Sequence, residues 1–339
     1  VCAYFGGKRG RMADDRSFAT EKTDLWTWNP VETVGTGYGE VVAVRAEAEL
    51  AAAYLDSNTV KFSRRSSGSW TEQTVFSGTP YQSFFDLAYG GGKFGMVGYA
   101  DYPGDLWVAT GDPGAFDTVR LHGNGSEGLG HQSSGLNCKI IITESEYVVV
   151  HSDLGSGNTL AHTLPLSGGT WSQTTIRPGA QLSTPYSLGT DGGNVFMLTK
   201  DLDANQLLFG DKDSDWNMGV ALPPGDPAVY LNTDLAFLGG VWVSPLRDAT
   251  NHRFILAKNT GSPWSVEELS PDDVGSNARM DVDGDEAAII YYWEGGKWWF
   301  VHTGDGTEWV FSEIIIPGYD ISGRPDIVFL DGSPRLVFH

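Results

Sequence analysis

An acidic residue recurs along the chain at the end of a short apolar segment, just before a loop. If these loops open on one face of the fold, their carboxylates would form a ring able to hold cations. A side chain repeated in every unit is explained more simply by structure, because Asp accepts backbone N–H groups of its own loop. We therefore favour a structural role for this series, which comprises Asp56, Asp101, Asp153, Asp201, Asp248 and Glu294.

A second acidic segment, Asp281 to Glu286, carries acids at alternate positions, like the start of a calcium-binding loop. The segment lacks the downstream bidentate Glu of such a loop, and it lies where the other units have a hairpin turn. We predict no metal site and no cofactor for this protein. Calcium is the one ion that the segment would suit.

Polar and aromatic residues stand in the loops before the first strand of each predicted unit. Aromatic faces stack on sugar C–H surfaces, while amide and guanidinium groups hydrogen-bond to hydroxyls or carboxylates. For any one Tyr the alternative is packing between units with the hydroxyl in water. We predict that this face as a whole binds the ligand. The candidate residues are Tyr38, Tyr81, Gln82, His131, Tyr186, Tyr230, Asn232, Arg279, Tyr319 and Arg324.

No catalytic signature is present in the sequence. It lacks a Gly-x-Ser-x-Gly nucleophile elbow, zinc-binding Cys/His spacing, a phosphate-binding loop and a dinucleotide fingerprint. His151 and His162 could meet across a hairpin, but a core or loop role is favoured over a metal site. We name no catalytic residue, and the sequence favours a binding protein over an enzyme.

The elements that must position these residues form a repeat of roughly 45 residues. Each unit has an apolar segment that ends in an acid, preceded by a tight turn such as Gly90 to Gly92, whose glycines supply positive φ angles. An aromatic residue then follows a Gly-, Ser- or Asp-rich turn and begins an outer strand. Each unit thus reads as four antiparallel strands, as in a propeller blade. The aromatic positions are Trp26, Trp70, Phe116, Trp171, Trp216, Trp264 and Trp309.

The predicted fold is an all-β, seven-bladed β-propeller of four-stranded antiparallel blades, forming a single domain over residues 1–339. Its N- and C-terminal segments share one blade and close the ring. Both terminal segments match the second strand of a blade, so the pattern contains one strand too many. Either the closing blade has an extra or altered strand, or the chain belongs to a longer protein. The approximate blades are 39–77, 83–122, 135–177, 183–224, 229–270, 276–317, and 322–339 with 1–34.

The turn before the repeated aromatic resembles the Asp box of the BNR and sialidase-like propellers, Ser/Thr-x-Asp-x-Gly-x-Thr-Trp. Thr303 to Trp309 and Thr110 to Phe116 match it with one residue missing, and the other turns keep only the Gly and the aromatic. In that family the box is a structural turn, so the resemblance implies fold and not activity.

A sialidase-like enzyme would also need an arginine triad and a Tyr/Glu nucleophile pair, as the family resemblance implies. Arg247, Arg279 and Arg324 fall near the same face on successive blades, and Tyr292 with Glu294 could supply the pair. The segment that usually carries the first arginine of the family is absent. A sialidase-like glycoside hydrolase is therefore an alternative and not our leading expectation.

The chain has a formal net charge of −21, which repels phosphate backbones and argues against a nucleic-acid partner. No apolar stretch is long enough for a membrane helix, so we expect no membrane insertion. We predict a non-enzymatic recognition or structural propeller, displayed outside the cell or on a particle surface, that binds glycan or protein. A structural subunit of a larger assembly, such as a viral fibre or surface filament, is a further alternative.

Overall fold

The architecture is that of a computed structural model, which describes most of the chain. In this part of the chain, no helix has the length and hydrophobicity needed to cross a bilayer. The described residues are 2–11, 24–77, 81–100, 104–122, 134–153, 156–177, 186–201, 203–223, 229–230, 234–248, 251, 253–270, 278–293, 296–316, 321 and 323–339.

Four antiparallel blades follow one another along the first two thirds of the chain. Within each, hydrogen-bonded neighbours are consecutive in sequence. Blade 1 contains β3 (Tyr38–Ala46), β4 (Glu49–Asp56), β5 (Thr59–Ser66) and β6 (Ser69–Phe76). Blade 2 contains β7 (Tyr81–Gly90), β8 (Lys93–Ala100), β9 (Asp105–Asp112) and β10 (Ala115–His122). Blade 3 contains β11 (Ser134–Ile142), β12 (Glu146–Asp153), β13 (Asn158–Pro165) and β14 (Ser172–Arg177). Blade 4 contains β15 (Ser187–Thr190), β16 (Val195–Asp201), β17 (Gln206–Asp211) and β18 (Gly219–Leu222).

A five-stranded sheet and two further blades complete the fold. The five-stranded sheet contains β19 (Val229–Tyr230), β20 (Ala236–Leu238), β21 (Val241–Asp248), β22 (Arg253–Lys258) and β23 (Ser265–Ser270). Blade 5 contains β24 (Arg279–Asp283), β25 (Glu286–Trp293), β26 (Lys297–Thr303) and β27 (Val310–Glu313). The closing blade combines β28 (Asp326–Leu330) and β29 (Ser333–Phe338) with β1 (Cys2–Arg11) and β2 (Asp24–Thr33).

The prediction of seven four-stranded blades is wrong, because the described residues form six blades of four strands and one sheet of five. In the sheet of residues 229–270, the inner edge of β21 is paired by two short strands, β19 and β20, instead of one. The interruption between them lies opposite Pro245, which has no backbone N–H to donate to a ladder. The all-β class and the antiparallel blades agree with the prediction.

The closing blade joins the two ends of the chain. Cys2 lies opposite Phe338 and Phe5 opposite Arg335 in an antiparallel pairing of β1 with β29. β29 pairs on its other side with β28, so β28 is the innermost strand and β2 the outermost. The strand order is thus a four-stranded blade without a duplicated strand.

Burial falls from the second strand of a blade to its outermost strand. All six central residues of β4 are buried, because this strand lies between two neighbouring sheets, whereas most residues of the outer strand β6 are exposed or half-buried. Two of the repeated aromatics, Phe116 and Trp264, pack onto the preceding sheet. The ring of Phe116 lies 5.3 Å from that of Phe62, and Trp264 lies 4.9 Å from Phe209. Such contacts bury apolar surface between sheets and hold the ring together.

The innermost strands contact one another in succession around a common axis, from β3 through β7, β11, β15, β20, β24 and β28 back to β3. This closed arrangement of radial antiparallel sheets is a β-propeller. Side chains at the inner edge of every sheet therefore face a shared axial space.

Candidate functional site

A cavity of about 510 Å³ lies along the axis of the ring. It is lined by residues of the innermost strands, and four of these are aspartates: Asp86, Asp234, Asp281 and Asp326. Arg45, Lys139 and Arg279 also line it, together with Tyr89 and apolar residues. The cavity is therefore strongly polar and carries both signs of charge.

The four cavity aspartates each accept a hydrogen bond from a backbone N–H of the next innermost strand. The N–H of Ile140 lies 3.0 Å from Asp86, and that of Met280 lies 2.9 Å from Asp234. Two further bonds of the same kind link Asp281 to the N–H of Phe329 at 2.6 Å and Asp326 to the N–H of Ala43 at 2.7 Å. These contacts bridge neighbouring sheets where no strand ladder joins them, so the aspartates help to close the ring.

Two of these aspartates have a cationic partner on the next strand. Lys139 Nζ lies 3.5 Å from Asp86, and Arg279 lies 3.5 Å from Asp234. In both cases the cation immediately precedes the residue that donates the backbone N–H. Asp281 and Asp326 have no salt bridge among the described residues, because Val328 and Val42 occupy the equivalent positions.

Arg279 joins two sheets that are not neighbours. Its second nitrogen lies 2.8 Å from Glu40 of β3, although β28 separates β24 from β3. Arg324 approaches the same Glu40 at 3.8 Å, and its carbonyl accepts the N–H of Val41 at 3.2 Å. Two guanidinium groups thus converge on one buried carboxylate next to the axial cavity.

Burial governs the ionisation of the carboxylates near the axis. Desolvation raises the pKa of Asp326 to about 7, although the charge of Arg279 opposes the shift. Desolvation likewise raises the pKa of Asp281 to about 6, against the hydrogen bond from Phe329. The pKa of Glu40 is raised by burial too, despite Arg279 and Arg324. The axial site therefore contains carboxyl groups that titrate closer to neutrality than ordinary acids.

Arg279 and Arg324 are the two predicted ligand-binding residues that the structure brings together. Tyr186 is fully buried in the core between blades 3 and 4, so packing and not ligand contact is its role. For four others the backbone is described as part of a strand, but their side chains are not: Tyr38, Tyr81, Gln82 and Tyr230. Three lie outside the described residues: His131, Asn232 and Tyr319.

Two of the strand-ending acids, Asp201 and Asp248, cap the turn that follows them, whereas Asp56 accepts the hydroxyl of Ser57 at 3.4 Å. Asp201 accepts the N–H groups of Asp203 and Ala204, and Asp248 accepts the N–H of Asn251 and pairs with Arg253. The structural role favoured for these two acids is confirmed. Asp101 and Glu294 lie outside the described residues.

The other features singled out in the sequence lie in turns, in the core or in a hairpin. Asp305 accepts hydrogen bonds from both the N–H and the hydroxyl of Thr307, and these lower its pKa to about 2, as expected of a structural turn. The prediction that His151 and His162 meet is confirmed, since their Nε2 atoms lie 3.0 Å apart in the core.

In the acidic segment that resembles a calcium-binding loop, Asp283 and Glu286 are paired residues across the hairpin of β24 and β25. The described residues contain no group of three acids, histidines or cysteines placed to hold a metal ion.

In the described part of the chain, the residues suggested for a sialidase-like site are not brought together around the axial cavity. Arg247 is absent from the cavity lining and lies opposite Tyr230 in the five-stranded sheet. Tyr292 packs against Trp298, with ring centres 5.3 Å apart. Its proposed partner, Glu294, lies outside the described residues.

Neither a protein-family model nor a curated protein matches the sequence. The fold is similar to several solved structures. AofleA from Arthrobotrys oligospora shares 12% identity at a TM-score of 0.55, covering 82% of this chain and 86% of its own. A fucose-specific lectin from Aleuria aurantia shares 11% identity at a TM-score of 0.51, covering 82% of this chain and 96% of its own.

A prolyl endopeptidase shares 11% identity at a TM-score of 0.59; the match covers 94% of this chain but only 50% of the peptidase. The structure of the Aleuria aurantia lectin is described as a six-bladed β-propeller with a novel mode of fucose recognition. At such low identity the similarities concern the fold alone, and they place this chain among the β-propellers without assigning it to the Asp-box superfamily.

Proposed function

We propose that the protein is a non-enzymatic recognition propeller that binds carbohydrate on the face where its innermost strands begin, and that it works outside the cell or on a particle surface. The observation that carries this proposal is the convergence of Arg279 and Arg324 on Glu40, beside the axial cavity. Both arginines were candidate ligand-binding residues on the sequence alone.

The three side chains form a preorganised hydrogen-bonding array. Arg324 is 41% exposed while Glu40 is 6% exposed, so a ligand reaches the arginine as the buried carboxylate holds it in place. Guanidinium groups donate several hydrogen bonds in a fixed plane, which suits the hydroxyl and ring oxygens of a sugar. The solved neighbours include propellers named as fucose-specific lectins, which makes fucosylated glycans the first members of a screen.

The test is a glycan array followed by calorimetric titration of the glycans retained. Arg324→Ala removes donors from the site, and we expect it to weaken binding by at least about tenfold, since hydrogen bonds to charged groups are worth about 1.5–3 kcal/mol. Arg120→Ala is a matched control, because Arg120 is 43% exposed and pairs with a buried acid, Asp105, in the outer part of blade 2. We expect its affinity to equal that of the unmodified protein.

The proposal is wrong if no glycan is retained, or if the two arginine variants weaken binding equally. If glycans are retained but Arg324→Ala binds them as tightly as the unmodified protein does, the binding site lies away from Glu40.

A glycoside hydrolase is the second candidate function. The observation in its favour is that two carboxyls facing the axial cavity, Asp281 and Asp326, have raised pKa values, as a general acid requires. Release of a fluorescent aglycone from a panel of glycosides, abolished by Asp326→Asn, would establish this activity. We favour binding because both carboxylates already hold backbone N–H groups that close the ring.

A further inference from the structure

We propose that the axial cavity receives a primary ammonium group, so that the saccharide recognised carries a free amino group. This inference rests on the proposed carbohydrate binding and specifies its ligand. It follows from which charged side chains around the cavity form salt bridges and which do not.

The cations that line the cavity already have partners. Lys139 is held by Asp86, Arg45 lies 3.2 Å from Asp283, and Arg279 is shared between Asp234 and Glu40. None of these cations forms a salt bridge with Asp281 or Asp326 among the described residues. The two remaining cavity carboxyls therefore have no salt-bridge partner in the described part of the chain, and Arg279 and Arg45 act on them only from a greater distance.

Asp326 is shaped to accept a cationic donor. Its two oxygens accept the N–H groups of Ala43 at 2.7 Å and Ile327 at 2.9 Å, which fix the carboxylate without neutralising it. Each carboxylate oxygen has a second lone pair, and an ammonium group has three donors to fill such positions. Asp326 is 7% exposed, so a hydrogen bond between opposite charges there would be stronger than one in water.

The cavity also has the size and walls for a sugar ring. Its volume of about 510 Å³ is in the range of small-molecule sites, roughly 300–1,000 Å³. Tyr89 and Leu188 contribute apolar surface to the lining, and an aromatic ring can pack against sugar C–H groups. An uncharged hexose would fill the space without compensating Asp326, whereas an amino sugar would do both.

The experiment compares three saccharides that differ in one substituent: D-glucosamine, N-acetyl-D-glucosamine and D-glucose, titrated at pH 7 into the full chain. We expect glucosamine to bind at least about tenfold more tightly than the other two, since a charge-assisted hydrogen bond contributes about 1.5–3 kcal/mol. Asp326→Asn should abolish this preference. Asp105→Asn is the matched control: Asp105 is 3% exposed but lies away from the axis, and the preference should persist.

Two further readouts keep the test decisive. If Asp326→Asn fails to fold, Asp281→Asn tests the second carboxylate, and the comparison of ligands in the unmodified protein still decides. An equal response to glucosamine and glucose overturns the inference. So does displacement of glucosamine by calcium chloride at equal ionic strength, because the cavity would then be selecting charge and not an ammonium group.

The outcomes also separate this inference from the proposed function. Retention of neutral glycans that depends on Arg324, without any preference for the amine, would leave carbohydrate binding standing and remove only the ammonium site. Absence of binding by every saccharide would remove both.

Discussion

Two pairs of aspartates around the axis make the same backbone contact in different electrostatic settings. Asp86 and Asp234 accept an N–H from the next innermost strand and also have a cation on that strand. Asp281 and Asp326 accept the same kind of N–H without a salt bridge among the described residues. Both pairs of aspartates therefore help to close the ring in the same way, but they differ in whether a cation forms a salt bridge with the carboxylate.

One residue decides between the two settings. The position before the donating N–H is Lys139 or Arg279 in the first pair and Val328 or Val42 in the second. A cation there neutralises the aspartate, whereas a valine leaves it to burial, which raises the pKa. One neighbouring side chain thus separates an aspartate that is paired with a cation from an aspartate whose carboxyl has no salt bridge among the described residues.

The largest effect on this comparison is expected from Arg279→Met. The change leaves Glu40 and Asp234 without their common partner in a buried site, and removing one member of a buried charge cluster costs about 3–5 kcal/mol. Chemical denaturation measures the free energy of unfolding. Arg45→Met is the control, because the Arg45 to Asp283 pair is 44% and 32% exposed and should contribute less than about 1 kcal/mol. Equal losses for both variants would show that Arg279 does not link the sheets.

A smaller effect is expected from pH acting on Asp326. Its pKa is raised by burial to about 7 in the folded state from its ordinary value of 3.8, so the folded state holds this proton more tightly than the unfolded chain. The contribution to stability is thus complete below about pH 4 and is lost as the pH rises to about 7. We expect the free energy of unfolding of the unmodified protein to fall between pH 5 and pH 7.5. This fall should exceed that of Asp326→Asn by an amount on the order of 2 kcal/mol.

The control for this measurement is Asp248→Asn. Hydrogen bonds from Asn251 and Arg253 outweigh desolvation and lower the pKa of Asp248, so this acid stays charged throughout the same pH range. Its substitution should change stability without changing the slope. Parallel pH profiles for the unmodified protein and Asp326→Asn would contradict the assignment of a raised pKa.

The smallest effect is expected from Lys139→Met. Lys139 lies 3.5 Å from Asp86 and pairs with this one carboxylate among the described residues, whereas Arg279 pairs with two, one of them at 2.8 Å. We expect a loss of about 1 kcal/mol in the free energy of unfolding, because Asp86 keeps its hydrogen bond from Ile140. A loss as large as that of Arg279→Met would mean that the two cation-paired aspartates are equivalent.

The repeat made the blades predictable, and the exceptions have local causes. Period-2 strands and tight turns recur with the aromatics, so the antiparallel blades and the capping acids Asp201 and Asp248 followed from the sequence. The split inner strand opposite Pro245 did not, because an interruption of the ladder leaves the hydrophobic pattern unchanged. A role in a larger assembly stays a prediction.

Three of the four axial aspartates were missed although the sequence carries a signal for them, and Asp281 was noted only as part of a calcium-like segment. Asp86, Asp234 and Asp326 each stand before a short apolar segment, in Asp-Leu-Ala-Tyr, Asp-Leu-Ala-Phe and Asp-Ile-Val-Phe. An acid inside a buried strand breaks the apolar pattern and so requires a partner. The identity of that partner could not be read, because it is an N–H on a neighbouring sheet and depends on how the sheets pack. Arg279 and Arg324 were found because their loops were predicted to share a face.

The pairing of β1 with β29 also has a mechanical consequence. The two strands are antiparallel and Cys2 lies opposite Phe338, so both ends of the chain leave the sheet on the same side. Tension applied between the ends would load the inter-strand hydrogen bonds one after another, as in unzipping, and not all at once, as in shear. The ring would then open first at this seam within the closing blade, under low force, before any other blade unravels.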